Sequence, residues 1–554
     1  MRVRVTLVPM DIEPLPERLV VDLESPEAYP DDETASRGVE TIQTHISHVF
    51  LTPARVVKLR KALRLSFLDF STLARRVADC HHEVALNRRL APDVYLGVAP
   101  VDYESGHFQV RNRWVSESGN ADRDDRRECV VVMRRLESDR DALSLLEQGA
   151  LRPTDLDDVA RTLAQFHDGS GLGCPAPWSP EAWWQHCFEP AENTLSSLRS
   201  TAPGETELAE IEALAGAMQE AFEQRRRSLE VRRREGRAVD GHGDLHLQHI
   251  WFERDATDPV IIDCLEFDPN LRRIDTANEV AFLAMDLSYR ERTDLAARFL
   301  RRYASARDDF GLYEVVDAFQ AYRAAVRAKV AALAARDDAI ELEQQRAALE
   351  SVRRHLALAR RSLRAPGKGA LLLVCGSVGV GKSGVAEAIA DRTEGVVISS
   401  DRTRKRMAGL APDEHPRSSP DEGLYTAENT RKVYGALLER ADPVVSSGRL
   451  AILDATFSSS AARAEVRRWA ERRGVDALLV HVDCAEEEVR ARVGRRTALG
   501  TDPSDAGPDF IPISRARFEA PTEWPEDDRF AVRTDREDWE TAALEPLTAR
   551  LNHP

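Results

Sequence analysis

Downstream of residue 369, short apolar runs at 371–375, 396–399, 450–453, 477–482 and 529–532 alternate with longer stretches of helical apolar spacing. Such runs read as strands buried on both faces, and the stretches between them as the helices that cover them. The alternation predicts an α/β domain with a parallel β-sheet sandwiched by helices, where ligands meet the carboxyl ends of the strands. The first half of the chain is patterned differently. Segments 40–51, 54–59 and 128–136 predict strands, 73–90 and 155–167 amphipathic helices, and 208–234 one long helix. Residues 315–363 are rich in Ala, Arg, Glu and Leu, contain no proline, and predict two or more packed helices. Residues 1–38 and the loop from Ser116 to Glu128 are polar enough to be mobile. The short stretch APGKG at 365–369 marks a boundary, giving an extension over 1–38, a domain over 39–364, a linker over 365–369 and a second domain over 370–554.

A chain of 554 residues is too long for one ordinary core, which agrees with two large domains. Its 42% apolar and 31% charged residues fit a soluble globular protein. No apolar run approaches the ~20 residues that span a bilayer. The opening residues lack the apolar block of a secretory signal, so a cytoplasmic location without membrane partners is expected. Seven cysteines, odd in number, scattered and without a CxxC pair, read as reduced thiols. The net charge of −17 argues against a protein whose main partner is a nucleic-acid backbone. Only seven of the 77 basic residues are lysine, which draws attention to Lys58 and Lys382 as point charges suited to phosphate or a buried carboxylate.

Between Gly376 and Ser383 the chain reads GSVGVGKS, a GxxxxGK[ST] phosphate loop that follows an apolar run and opens a helix at Gly384. Backbone N–H groups of Gly376, Ser377, Val378, Gly379, Val380 and Gly381 then face a triphosphate, Lys382 reaches its outer phosphates, and Ser383 holds Mg²⁺. The predicted ligand is ATP with Mg²⁺. At the end of the next run, SSDRTRK places Asp401 at the sheet edge and Arg404 one helical turn later, as proton acceptor and charge-balancing guanidinium, or else as a helix cap and a solvated arginine. AILDATF supplies Asp454 as a second Mg²⁺ ligand. Arg490, Arg492, Arg495 and Arg496 precede a flexible stretch at 500–508 and suit either a phosphate-closing lid, with Arg492 and Arg496 toward the nucleotide, or a solvated face paired with Glu486 to Glu488. Carried by these motifs, residues 370–554 resemble the small P-loop kinases grouped around gluconate kinase, chloramphenicol phosphotransferase and bacterial polynucleotide kinase. The DxxR of Asp401 and Arg404 is similar to the last of these, which makes RNA 5′ ends an alternative acceptor to a hydroxyl-bearing small molecule.

Upstream, HGDLHLQHIWF at 242–252 and DCLEFD at 263–268 bracket an apolar run with two aspartates. In a kinase-like site Asp244 orients or deprotonates the acceptor hydroxyl and Asp263 holds Mg²⁺. These segments resemble the aminoglycoside phosphotransferase and choline kinase family, which implies a bilobal, protein-kinase-like α+β domain over about 40–365. The resemblance assigns Lys58 in ARVVKLRK to the ATP phosphates, Glu83 to the lysine's partner on the following helix, and 130–136 to the hinge. It also places Asn five residues after the catalytic Asp, where this chain has His249. An imidazole there disfavours Mg²⁺, which prefers hard oxygen ligands, unless Gln248 or water substitutes. His242 and His246 lack cysteine partners, so zinc is not expected. The whole is similar to bacterial two-domain proteins in which such a domain precedes a P-loop kinase. The reading is a bifunctional ATP-dependent kinase with an N-terminal domain that is slow or degenerate; the alternative is a nucleotide-dependent switch with a pseudokinase sensor.

Overall fold

Residues 12–552, apart from 66–67, 116–126, 255, 338–340, 366, 412–413, 415–422 and 500–509, are described by a computed structural model. Strands β1 (Glu40–Gln43), β2 (Ser47–Leu51), β3 (Arg55–Arg60), β4 (Tyr95–Glu104), β5 (His107–Val110) and β6 (Cys129–Arg134) form one antiparallel sheet in the order β1-β2-β3-β6-β4-β5. Segment 40–51 is therefore a hairpin rather than one strand, turning where the Thr44 N–H donates to the Ser47 carbonyl at 2.9 Å. Alternation along β6 decides the two faces. Cys129, Val131 and Met133 pack with Cys80 and Val84 of helix α1 (Leu73–Asn87), while Val130 and Val132 face the other way. What covers that second face is residues 12–38, which are not mobile as their polarity suggested. A short helix at Leu19–Leu23 and the turns after it bury Leu19, Leu23, Ala28, Tyr29 and Ala35 against Phe50, Val57 and Leu59. Sparse apolar side chains are enough when each reaches the sheet. The loop from Ser116 lies largely outside the described residues.

Packing divides the chain into two compact units. One comprises 1–158, 165–173 and 238–275; the other 159–164, 174–237 and 276–554. Helices of the chain's first two thirds thus share a unit with the parallel sheet that follows residue 369. The expected single helix over 208–234 is two, Glu205–Gln224 and Arg226–Arg234, broken where Arg225 leaves helical geometry at φ −96° and ψ 2°. Helices α2 (Thr293–Arg307) and α3 (Val316–Ala334) follow, then a helix at Leu342–Ser362.

Strands β7 (Ala370–Cys375), β8 (Val396–Ser399), β9 (Leu450–Asp454), β10 (Asp476–Asp483) and β11 (Arg529–Arg533) form the five-stranded parallel sheet, in the order β8-β9-β7-β10-β11. All five apolar runs are strands in it. Between them lie α4 (Lys382–Thr393), α5 (Ser400–Met407), α6 (Ala427–Ser446) and α7 (Glu486–Leu499). Leu372, Val374, Ile452, Val480 and Val482 of the sheet bury against Val385, Ala386 and Ile389 of α4, so sheet and phosphate-loop helix form one core. The carboxyl ends of β7, β9 and β8 consequently bring residues 376–383, 454 and 399–401 to one edge.

Candidate functional site

The phosphate loop has the backbone that its glycines permit. Gly376, Gly379 and Gly381 have φ of 153°, 81° and 93°. A Cβ at Gly376 would stand 2.3 Å from the Val482 carbonyl oxygen, so that position tolerates no side chain. Lys382 opens α4 and donates from Nζ to the Ser377 carbonyl at 2.8 Å, across the loop. Ser383 Oγ donates to Asp454 Oδ2 at 2.7 Å, which brings together the two side chains expected to hold Mg²⁺; a hydroxyl and a carboxylate are the hard oxygen donors that ion takes. Burial pushes Asp454 up to about 6, with Asp401 and Glu387 adding to the rise and Lys382 and the Ser383 hydrogen bond opposing it.

These groups line one cavity of about 320 Å³, together with Asp401, Arg402, Arg404, Tyr425, Thr430 and Thr456. Arg404 is buried, donates from Nη1 to the Leu424 carbonyl at 3.1 Å, and lies over the Tyr425 ring at 4.6 Å. It is a held guanidinium rather than a solvated one. The remaining wall comes from α2, whose Arg301, Arg302 and Ser305 face the same space. Arg302 Nη1 meets Glu387 Oε1 of α4 at 2.8 Å, and Arg301 Nη2 meets Glu387 Oε2 at 3.3 Å and also pairs with Asp391. The sequence reading missed Arg301, Arg302, Glu387 and Arg402. Arg402 lay inside the quoted SSDRTRK, but nothing in the amino-acid order says that α2 packs here.

The arginines of α7 divide. Arg492 bonds Glu488 at 2.9 Å and donates to Thr534 Oγ1 at 2.8 Å, and its Nη1 lies 3.2 Å from where a Cβ at Gly381 would stand. It braces the back of the phosphate loop. Arg490 and Arg495 instead pair with Glu486 and Glu488 on the helix surface. The Arg496 side chain and segment 500–508 lie outside the described residues.

In the other unit, β3, α1 and the segments after residues 240 and 260 converge on Lys58. Its Nζ meets Glu83 Oε1 at 2.9 Å and Asp263 Oδ1 at 3.0 Å. Burial would lower the Lys58 pKa, but Asp263 and Glu83 outweigh it and hold it well above the ordinary lysine value. The Lys58 ammonium in turn holds Asp263 below the carboxylate range. Asp263 sits at φ 64°, a left-handed conformation that costs a β-carbon residue energy and is retained at ligand-facing positions. Arg60 completes a network missed in the sequence, reaching Glu83 at 2.6 Å, Asp79 at 2.6 Å and Glu266 at 3.2 Å. Burial beside Glu83 pushes Glu266 up to about 8.

Asp244, His246 and His249 form a tight cluster, with His246 Nε2 and His249 Nδ1 each 3.7 Å from Asp244 Oδ2. His249 Nδ1 hydrogen-bonds the Asp244 carbonyl at 2.9 Å, which presents Nε2 to Asp263 Oδ2 at 3.5 Å. Burial and the neighbouring His246 lower the His249 pKa, so the ring is neutral near pH 7. A nitrogen lone pair therefore occupies the place where Mg²⁺ needs oxygen, while Gln248 is exposed on the same turn. Mg²⁺ does not fit between these two side chains.

Comparison with known proteins agrees with this division of motifs. A model described as the phosphotransferase enzyme family matches residues 61–319, and an AAA domain model matches 371–521. An uncharacterized protein of Mycobacterium tuberculosis and one of Mycobacterium bovis are each 32% identical over 440 residues, covering 78% of this chain and 81% of the relative. Among solved structures, a gluconokinase from Sinorhizobium meliloti is 19% identical, covering 34% of this chain and 94% of its own, with a TM-score of 0.24. A choline/ethanolamine kinase family protein from Mesorhizobium loti is 12% identical, covering 58% and 92%, with a TM-score of 0.33. The two family matches indicate phosphotransfer. The chain belongs to one family with these mycobacterial proteins, and within it a segment matched by the phosphotransferase enzyme family model precedes one matched by the AAA domain model.

Proposed function

We propose that the P-loop segment, residues 370–554, is an ATP-dependent kinase that moves the γ-phosphoryl group of ATP to a hydroxyl of a small molecule. The observation that carries this reading is the convergence of Lys382, Ser383, Asp401, Arg404 and Asp454 on one cavity of about 320 Å³. The backbone amides of 376–381 cradle the triphosphate, and Lys382 exchanges its contact with the Ser377 carbonyl for the outer phosphates. Ser383 and Asp454 would hold Mg²⁺, which when bound would neutralise charge on the phosphates. Asp401 accepts the proton of the attacking hydroxyl, and Arg404, fixed by Leu424 and Tyr425, balances charge on the transferring group.

Conversion of Lys382 to Ala removes both the point charge and the loop-spanning contact. It should abolish ATP-dependent labelling of a metabolite extract and weaken ATP binding at this site. A Lys382→Ala protein that binds and turns over ATP like wild type rejects the assignment.

For the N-terminal kinase segment, His249 favours a second reading, in which Lys58, Glu83 and Asp263 bind nucleotide but transfer is slow or absent, as in a sensor. Asp244→Ala in the same extract screen discriminates: loss of one labelled product assigns that product to this segment, and an unchanged pattern supports the sensor. A 5′-hydroxyl RNA included in the screen tests the alternative acceptor.

A further inference from the structure

We infer that the P-loop cavity binds an acceptor that carries a negatively charged group besides its reacting hydroxyl, and that Arg402 and Arg302 recognise that group. This rests on the kinase reading above and names its substrate class.

Arg402 lies one residue beyond the proposed proton acceptor, on α5, and faces the cavity beside Arg302 and Ser305 of α2. Its guanidinium has no hydrogen-bond or ion-pair partner among the described residues, whereas Arg301, Arg302 and Arg404 are each engaged. Arg302 shares Glu387 with Arg301, so one carboxylate serves two guanidiniums on that wall. A second like charge then stands next to Arg302, and the carboxylate that acts on it at a distance is again Glu387, already shared by two guanidiniums. Burial, together with Arg302, outweighs the opposing pull of Glu387 and holds the Arg402 pKa below that of an ordinary arginine. An enclosed, unpaired cation is costly unless a ligand supplies the anion.

Nucleotide phosphates do not meet that need. In the sheet order β8-β9-β7, the strand leading to Arg402 is two positions from the strand leading to the phosphate loop, or roughly 10 Å at the usual spacing between strands. Arg402 thus stands on the side of Asp401 and Arg404, where the acceptor lies, and a carboxylate, phosphate or sulfate between Arg402 and Arg302 satisfies both planar forks. The α2 wall falls within residues 61–319, matched by the other family model, so the acceptor pocket is completed by sequence from outside the P-loop segment.

Inorganic sulfate is the probe. The full chain is saturated with AMP-PNP and Mg²⁺, filling the phosphate-loop site, and titrated calorimetrically with sulfate against chloride of equal ionic strength. Wild type should bind sulfate saturably. Arg402→Met should weaken it by about tenfold or more while leaving AMP-PNP affinity within about twofold, and Arg402→Lys should recover part of the loss. Absence of saturable sulfate binding in wild type, or equal binding in wild type and a folded Arg402→Met, overturns the inference. So does a parallel loss of AMP-PNP affinity, which makes Arg402 a nucleotide contact. Failure of wild type to bind AMP-PNP at all instead removes the kinase reading beneath it.

Discussion

Replacing Asp454 with Asn should stabilise the nucleotide-free protein while destroying its response to Mg²⁺. The carboxyl is buried, and its pKa is pushed from 3.8 to about 6 because burial, Asp401 and Glu387 together outweigh Lys382 and Ser383. At ~1.4 kcal/mol per pH unit, that rise amounts to about 3 kcal/mol. A carboxyl with a raised folded pKa favours the native state while protonated. Its contribution is fully present below about pH 4 and is lost as pH rises through about 6. Asn keeps an oxygen to accept from the Ser383 hydroxyl and never ionises. The variant should therefore match wild type at pH 4 and exceed it by up to about 3 kcal/mol at pH 8, a gap of about 5–10 °C in Tm. The assay is thermal unfolding in EDTA at pH 5 and pH 8. Added Mg²⁺ and AMP-PNP should reverse the order, since ligand at about 1,000 times its Kd contributes about 4.1 kcal/mol to wild type and nothing to a variant that no longer binds it. A variant that melts at or below wild type at pH 8, or a gap of equal size at both pH values, refutes the reasoning.

Two further outcomes follow from the same geometry. In a Lys382→Ala background that silences the P-loop site, His249→Asn should raise Mg²⁺-dependent nucleotide affinity at Lys58, Glu83 and Asp263 by about tenfold, by restoring an oxygen next to Asp263 Oδ2; calorimetry showing no gain denies that His249 limits the site. A fragment spanning 366–554 strips Arg440 of Asp308, Arg449 of Asp317, and Asp391 and Glu387 of Arg301 and Arg302. At about 1–3 kcal/mol for each partner lost, it should melt well below the matching transition of the full chain, and an equal melting temperature would show that these pairs are dispensable.

What the amino-acid order reveals is set by the range over which each feature acts. The inner strands of the parallel sheet are legible because each carries a continuous apolar run, which burial on both faces demands, whereas the edge strand β11, RFAVR, buries only Val532 fully and is legible mainly from its place in the alternation. Residues 376–383 are legible because backbone curvature and phosphate chemistry constrain adjacent positions, so Gly376, Gly381, Lys382 and Ser383 stand at fixed offsets. Lys58, Glu83 and Asp263 lie far apart in the chain; lysine scarcity and the paired aspartates single out Lys58 and Asp263, but only the resemblance joins them to Glu83, and their meeting within 3.0 Å is a tertiary fact. Residues 12–38 misled because few of their positions are apolar, yet those few are the ones that touch the sheet. Arg302 is the deepest case. On α2 it reads as one of several basic residues of an amphipathic helix, and only the packing of α2 on α4, through Glu387 and Asp391, turns it into the wall of a cavity. Specificity in such a site is carried by the surface that the rest of the chain lays over the phosphate loop, which explains why the loop announces phosphate chemistry and leaves the acceptor unread.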